Sequence, residues 1–129
     1  MNKTRKLLIS IVLLAALTST EASSVAGETA FEGEIADSQC AMGVHSINRS
    51  HKEMIEMGHA GKTAEDCTRY CVHSRGGRYV LLTKHGVFKL DNQELAEKYA
   101  GQKVKLSGAL DSKTSNFILV NTMEPVVAK

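Results

Sequence analysis

Apolar and polar residues alternate along several short stretches of the chain, and these stretches are predicted to be β-strands. In residues 31–36, acidic side chains alternate with apolar residues or glycine, which is typical of a half-buried strand. A later stretch alternates in the same way, with Val104, Leu106 and Leu110 predicted to point inward. The five predicted strands are 31–36, 78–83, 87–90, 103–110 and 117–123.

Three stretches with helical spacing lie between these strands. Residues 48–57 are predicted to form the first helix, with charged residues on the solvent side. Thr63 is followed three residues later by Asp66, which indicates a capped helix start and a helix over about 64–73. A third, shorter helix is predicted over 93–100.

The order of these elements predicts the fold. Five strands with a short helix between the third and fourth predict a mainly β (α+β) chain, folded as a five-stranded OB-like Greek-key barrel. Between strands 1 and 2 the chain carries a helical insertion at about residues 40–76. Another small α+β sheet is the alternative, because element order alone does not determine which strands pair.

The N-terminal segment has the pattern of an export signal. Lys3, Arg5 and Lys6 precede the apolar run 7–17, and small residues follow it. We therefore predict a signal peptide over 1–26 and a single domain over 27–129, exported to the periplasm or the medium. The run is shorter than the roughly 20 residues of a spanning helix, so no stable membrane insertion is expected after cleavage. An uncleaved N-terminal anchor is the alternative.

The charge and the motif content of the chain argue against two classes of function, nucleic-acid binding and catalysis. The 129-residue chain carries a formal net charge of +2, but acidic and basic residues are equal in number within 27–129. The basic excess therefore belongs to the predicted signal, and nucleic acid is not expected as a partner. No phosphate-binding glycine motif or nucleophile with a placed base is found, so no enzymatic activity is predicted.

The candidate chemistry lies in the insertion. Cys40 follows the first strand, and Cys67 and Cys71 share one face of the second predicted helix. Together with one histidine they would form a Cys3His site of the kind that Zn²⁺ prefers. His59, in a glycine-flanked loop, is the predicted fourth ligand, and His45 is the alternate.

The other polar residues near these cysteines rank lower as ligands. His51 is expected on the solvent face of its helix, and His73 is expected to point away from Cys71. Asp37 is predicted to cap the turn that follows it, or to accept a hydrogen bond from a ligand histidine.

Two alternatives to zinc stay open. Copper would also suit a thiolate-rich site, with methionines of the same insertion as further soft donors. An exported chain also meets oxidising conditions, so Cys40 could instead form a disulfide with Cys67 or Cys71 and leave one thiol over. In that case no metal would bind.

Several motifs resemble a group of uncharacterised small exported bacterial proteins with an OB-like outline. The resemblance covers about residues 31–124 and supports export, the barrel and the three-cysteine insertion, but implies no activity. It does not extend to the stretch 42–57. The motifs are Asp37-Ser38-x-Cys40, Cys67-x3-Cys71, Gly76-Gly77-x-Tyr79-Val80-Leu81, Gly101-Gln102-Lys103-Val104 and Gly108-x-Leu110.

Together these observations predict an exported, non-enzymatic, OB-like module that binds a metal ion, with zinc favoured, through Cys40, Cys67, Cys71 and His59. The alternative is a barrel of the same type that is stapled by a disulfide and binds a protein or glycan partner without metal.

Overall fold

The computed structural model describes residues 27–42, 51–58 and 60–127. The predicted signal peptide, 1–26, lies outside this range. So do the two histidines proposed as the fourth ligand, His45 and His59. Among the described residues, no helix is long and apolar enough to cross a membrane.

Five strands and four helices are described, in an order that places three helices between the first two strands. The elements are β1 (Thr29–Asp37), α1 (Ser38–Met42), α2 (His51–Glu56), α3 (Ala64–Arg75), β2 (Tyr79–Thr83), β3 (Gly86–Leu90), α4 (Gln93–Glu97), β4 (Lys103–Leu110) and β5 (Phe117–Pro125).

The strands form one mixed sheet that closes into a ring in the order β1-β2-β3-β5-β4. All neighbours are antiparallel except β3 and β5, which pair in parallel over a short stretch. Residues 29–34 of β1 pair with β4 and residues 34–37 pair with β2, so β1 passes from one neighbour to the other at Glu34. The prediction of a five-stranded, mainly β chain with a few helices is confirmed.

The ring encloses the larger of two buried clusters. Alternate residues of each strand supply it because successive side chains point to opposite faces. The predicted inward position of Leu110 is wrong, since this residue ends β4 and is 54% exposed. The largest buried side chains of the cluster are Ile35, Leu81, Leu90, Leu106, Ile118 and Val104.

Helix α3 is bounded as its sequence predicts. The Thr63 hydroxyl accepts a hydrogen bond from the Asp66 N–H (3.1 Å), and the Asp66 carboxylate accepts one from the Thr63 N–H (3.1 Å). This capping box satisfies two N–H groups that the first helical turn leaves without partners. At the other end Gly76 is left-handed, with φ 73°, and its N–H donates to the Cys71 carbonyl. Both ends of α3 are therefore determined by interactions between residues that are close in sequence.

Helix α2 spans His51–Glu56 and ends one residue before the end predicted from the sequence. The predicted helix begins at residue 48, and residues 48–50 lie outside the described residues. Met54, only 6% exposed, is the buried residue of α2 and belongs to the second, smaller cluster, which lies between α2 and α3.

Candidate metal centre

The end of β1 and the short helix after it supply two donor groups. Asp37, the last residue of β1, is fully buried, and its Oδ1 accepts hydrogen bonds from the Gln39 N–H (3.0 Å) and the Cys40 N–H (2.8 Å). The predicted turn cap at Asp37 is thus confirmed. The Ser38 N–H donates to the Arg78 carbonyl (2.8 Å), which ties α1 to the start of β2. These hydrogen bonds hold Cys40 in α1, three residues after the end of β1.

Helix α3 supplies the other two donors. Cys67 and Cys71 are four residues apart, so their side chains lie one above the other on the same face. Both are fully buried, and they share the smaller cluster with Met54 and Ala60, against which Cys40 packs.

These four side chains converge on one point. One donor atom from each of Asp37, Cys40, Cys67 and Cys71 lies within 4.8 Å of all the others. The sulfurs of Cys40 and Cys67 are 3.8 Å apart, and no disulfide joins any of the three cysteines. The group is therefore compatible with metal binding.

The surroundings disfavour a negatively charged thiolate unless a cation is present. Burial, together with the hydrogen bond and charge of Asp37, raises the pKa of the Cys40 thiol well above its ordinary value. Burial also raises the pKa of Cys67, and with the Asp37 charge it raises the pKa of Cys71 to about 12. Without a bound cation, all three sulfurs are thus neutral thiols at pH 7.

The structure brings the three predicted cysteines together, whereas the predicted histidine ligands His59 and His45 lie outside the described residues. The fourth donor among the described residues is Asp37. Sequence reasoning gave this residue a capping or hydrogen-bonding role and did not count it among the candidate ligands. Its position three residues before Cys40, at the end of a predicted strand, was the signal that pointed to it.

The two histidines that ranked low lie in different surroundings. His73 is exposed, and its Nε2 is 2.9 Å from Glu97 Oε1 and 3.4 Å from the Tyr79 hydroxyl. His51 was expected to face solvent, and this prediction is wrong, because its side chain is only 15% exposed. Its Nδ1 lies 3.9 Å from Asp37 Oδ2, because α2 packs against α3 and turns this residue towards the end of β1.

Thr68, next to Cys67 on α3, offers a test of packing around the cluster. It is fully buried, and its hydroxyl has no hydrogen-bond partner among the described residues. A buried polar group without a partner costs stability, whereas valine has nearly the same shape. We expect Thr68→Val to raise the free energy of unfolding by about 1 kcal/mol in urea denaturation. Thr68→Ala, which also loses a methyl group, should gain less, and a loss of stability in Thr68→Val would contradict the prediction.

Comparison of the chain with protein-family models, with curated proteins and with solved structures finds no match in any of the three.

Proposed function

We propose that the protein is a metal-binding module whose ion, preferably Zn²⁺, is held by Cys40, Cys67, Cys71 and Asp37. The observation that carries this proposal is the convergence of four donor atoms within 4.8 Å of one another. Three separate elements of the fold contribute them: the end of β1, α1 and α3.

The spacing of the donors supports the proposal. In a tetrahedral site with Zn–S bonds of about 2.3 Å, neighbouring sulfurs lie about 3.8 Å apart. This is the separation of the Cys40 and Cys67 sulfurs. Two neutral thiols in contact would also have this spacing, so the further support comes from the fully buried Asp37 beside them. Burying a carboxylate is costly, and its two backbone hydrogen bonds offset part of this cost. A divalent cation would supply the opposite charge as well.

The chemistry of the donors favours zinc over copper. Cu(I) selects soft thiolate and thioether ligands, whereas Zn²⁺ accepts thiolate and carboxylate together. Asp37 supplies a hard oxygen donor among three sulfurs, which is suited to the divalent ion.

We assign the ion a structural role without enzymatic activity. Structural zinc sites are closed by protein donors, while catalytic sites keep a position for water or substrate. Here the ion would fasten α3 and α1 to the end of β1, and so hold the helical insertion against the ring of strands. We further propose that this ring is an OB-like Greek-key barrel and that the protein is exported, as the order of elements and the basic and apolar N-terminal pattern suggest.

Native mass spectrometry tests the proposal. The full chain is expressed in a bacterial host with a periplasm, and the protein is purified without a chelator. We expect a native mass raised by one zinc ion, and three alkylated cysteines when the protein is denatured in the presence of an alkylating reagent. Expression in medium supplemented with copper should leave zinc as the bound metal.

The same measurement distinguishes the metal-binding module from the alternative, a barrel that is stapled by a disulfide and binds no metal. A metal-free mass two hydrogens below that of the reduced chain, with one alkylated cysteine, would overturn the metal proposal. The protein would then be a disulfide-stapled barrel, and its protein or glycan partner would be sought on the strands.

A further inference from the structure

We infer that a cavity on the outside of the ring, between α1 and the start of β5, binds a small organic anion made of a carboxylate and a short apolar group. Arg78 and Lys89 bind the carboxylate, and Val80, Val87 and Phe117 contact the apolar group. This inference goes beyond the proposed metal centre, because none of the four proposed donors lines the cavity.

The first step is that the cavity is already formed by the fold. Its volume is about 280 Å³, close to the lower end of the range for small-molecule sites, about 300–1,000 Å³. One wall is α1, where Ser38 donates its N–H to the Arg78 carbonyl (2.8 Å) and accepts the Arg78 N–H on its hydroxyl (3.0 Å). The opposite wall is the turn before β5, where the Asn116 carbonyl accepts a hydrogen bond from the Lys89 N–H (2.7 Å). Both walls are therefore attached to the strands beneath them.

The second step is the floor, which is a row of side chains across three neighbouring strands. Val80 of β2 pairs with Lys89 of β3, and Lys89 pairs with Phe117 of β5. Directly paired residues have their side chains on the same face of a sheet. Leu81, the neighbour of Val80, belongs to the cluster inside the ring, so this row lies outside. Val87, two residues before Lys89, extends the row. None of the three apolar residues of the row belongs to either buried cluster of the described residues.

The third step is the charge of the cavity. Arg78 and Lys89 line it, and no aspartate or glutamate does so among the described residues. Neither cation forms an ion pair with a residue that the structure describes. A guanidinium group presents two parallel N–H groups to a carboxylate, and hydrogen bonds between such charged groups are stronger than those between neutral ones. The two cations therefore favour a ligand that brings a negative charge.

The fourth step is the distance between the charged and the apolar parts. Lys89 lies between Val80 and Phe117 in the row, and neighbouring strands are about 4.8 Å apart. A carboxylate bound to the Lys89 ammonium thus places a ring one or two atoms away against the Phe117 side chain. Aromatic rings at such a separation attract each other beyond the burial of their area. Phenylacetate has this arrangement and is the probe that we choose.

An NMR titration tests the inference. The full chain is expressed with ¹⁵N in a bacterial host with a periplasm, purified without a chelator, and titrated with phenylacetate at constant ionic strength. We expect saturable shifts that are concentrated at the amides of Val80, Val87, Lys89 and Phe117. Phenylacetamide has the same shape without the charge, and acetate has the charge without the ring. Each should bind at least about 10-fold more weakly than phenylacetate.

Variants of the two cations separate specific binding from a general effect of charge. Lys89→Met keeps an unbranched side chain but removes the ammonium group, and it should weaken phenylacetate binding at least about 10-fold. Arg78→Met should act in the same direction. Lys105→Met is the matched control, because Lys105 is an exposed lysine of β4 that does not line the cavity, and it should match the parent. If Lys89→Met fails to fold, Arg78→Met and the three probes carry the test.

Four results would each overturn the inference. They are no saturable shifts with phenylacetate, shifts that lie away from the cavity, equal binding of phenylacetate and either of the other two probes, and unchanged binding in the folded Lys89 and Arg78 variants. Each of these results would leave the metal centre standing, because its donors are not part of the cavity.

Discussion

Replacing Cys67 by serine is expected to abolish zinc binding at physiological concentrations. Cys67 is fully buried and belongs to the group of four donors, and a neutral hydroxyl is a poor substitute for a thiolate. The loss should exceed the roughly 10–100-fold that removing an outer partner of a ligand costs. Competition with a chromophoric zinc chelator measures it directly.

The same variant should no longer be stabilised by zinc. A ligand that binds only the folded chain stabilises it by about 4.1 kcal/mol when present at 1,000 times its dissociation constant. In thermal unfolding, zinc should therefore raise the Tm of the parent by several degrees and leave that of Cys67→Ser unchanged.

Ala60→Ser is the matched control for Cys67→Ser. Ala60 belongs to the same buried cluster, and its serine variant also buries a hydroxyl there but removes no donor. It should lose some stability and keep the zinc response. If Cys67→Ser bound zinc as tightly as the parent, the proposed donor set would be wrong.

The metal-free protein is expected to form a disulfide between Cys40 and Cys67 when it is treated with oxidised glutathione at alkaline pH. The attacking species is the thiolate, and the raised pKa values of these thiols make the reaction slow at pH 7. The two sulfurs are 3.8 Å apart in the structure. Their thiols give up two protons and two electrons to form one S–S bond, and one molecule of oxidised glutathione is reduced to two of glutathione. A bridge within α3 is disfavoured, because side chains four residues apart on a regular helix do not converge well. Cys71 should keep its thiol.

Peptide mapping and the intact mass measure this reaction. We expect a loss of two hydrogens and a cross-link between Cys40 and Cys67, both prevented by prior zinc loading. Cys71→Ser should still form the cross-link and Cys40→Ser should not. A glutathione adduct as the final product, or a Cys67–Cys71 bridge, would contradict the arrangement described here.

Local patterns were sufficient to predict the elements that frame the site. The capping pair of Thr63 and Asp66, the stop at Gly76 and the hairpin turn after Thr83 each depend on a few neighbouring residues. The alternation in β1 and β4 depends only on which face of a strand is buried. For this reason the bounds of α3, and the shared face of its two cysteines, followed from the sequence.

The position of Asp37 among the three thiols and the burial of the His51 side chain did not follow from the sequence, because both depend on tertiary packing. Asp37 is a candidate donor only because α3 lies against the end of β1 and brings two thiols close to its carboxylate. His51 seemed a solvent residue because charged neighbours surround it in sequence. Its actual direction is determined by Met54, which packs towards α3, and helical periodicity alone cannot specify that contact.

The donors come from two segments of chain, since 27 positions separate Cys40 from Cys67. An ion that joins them closes a loop, and the entropy of loop closure grows only with the logarithm of length, at about 0.6 kcal/mol for each doubling. The entropic cost of this loop is therefore determined mainly by its closure and only weakly by the exact number of residues between the two cysteines. A bound ion would accordingly stabilise the fold by an amount that depends little on the length of the loop.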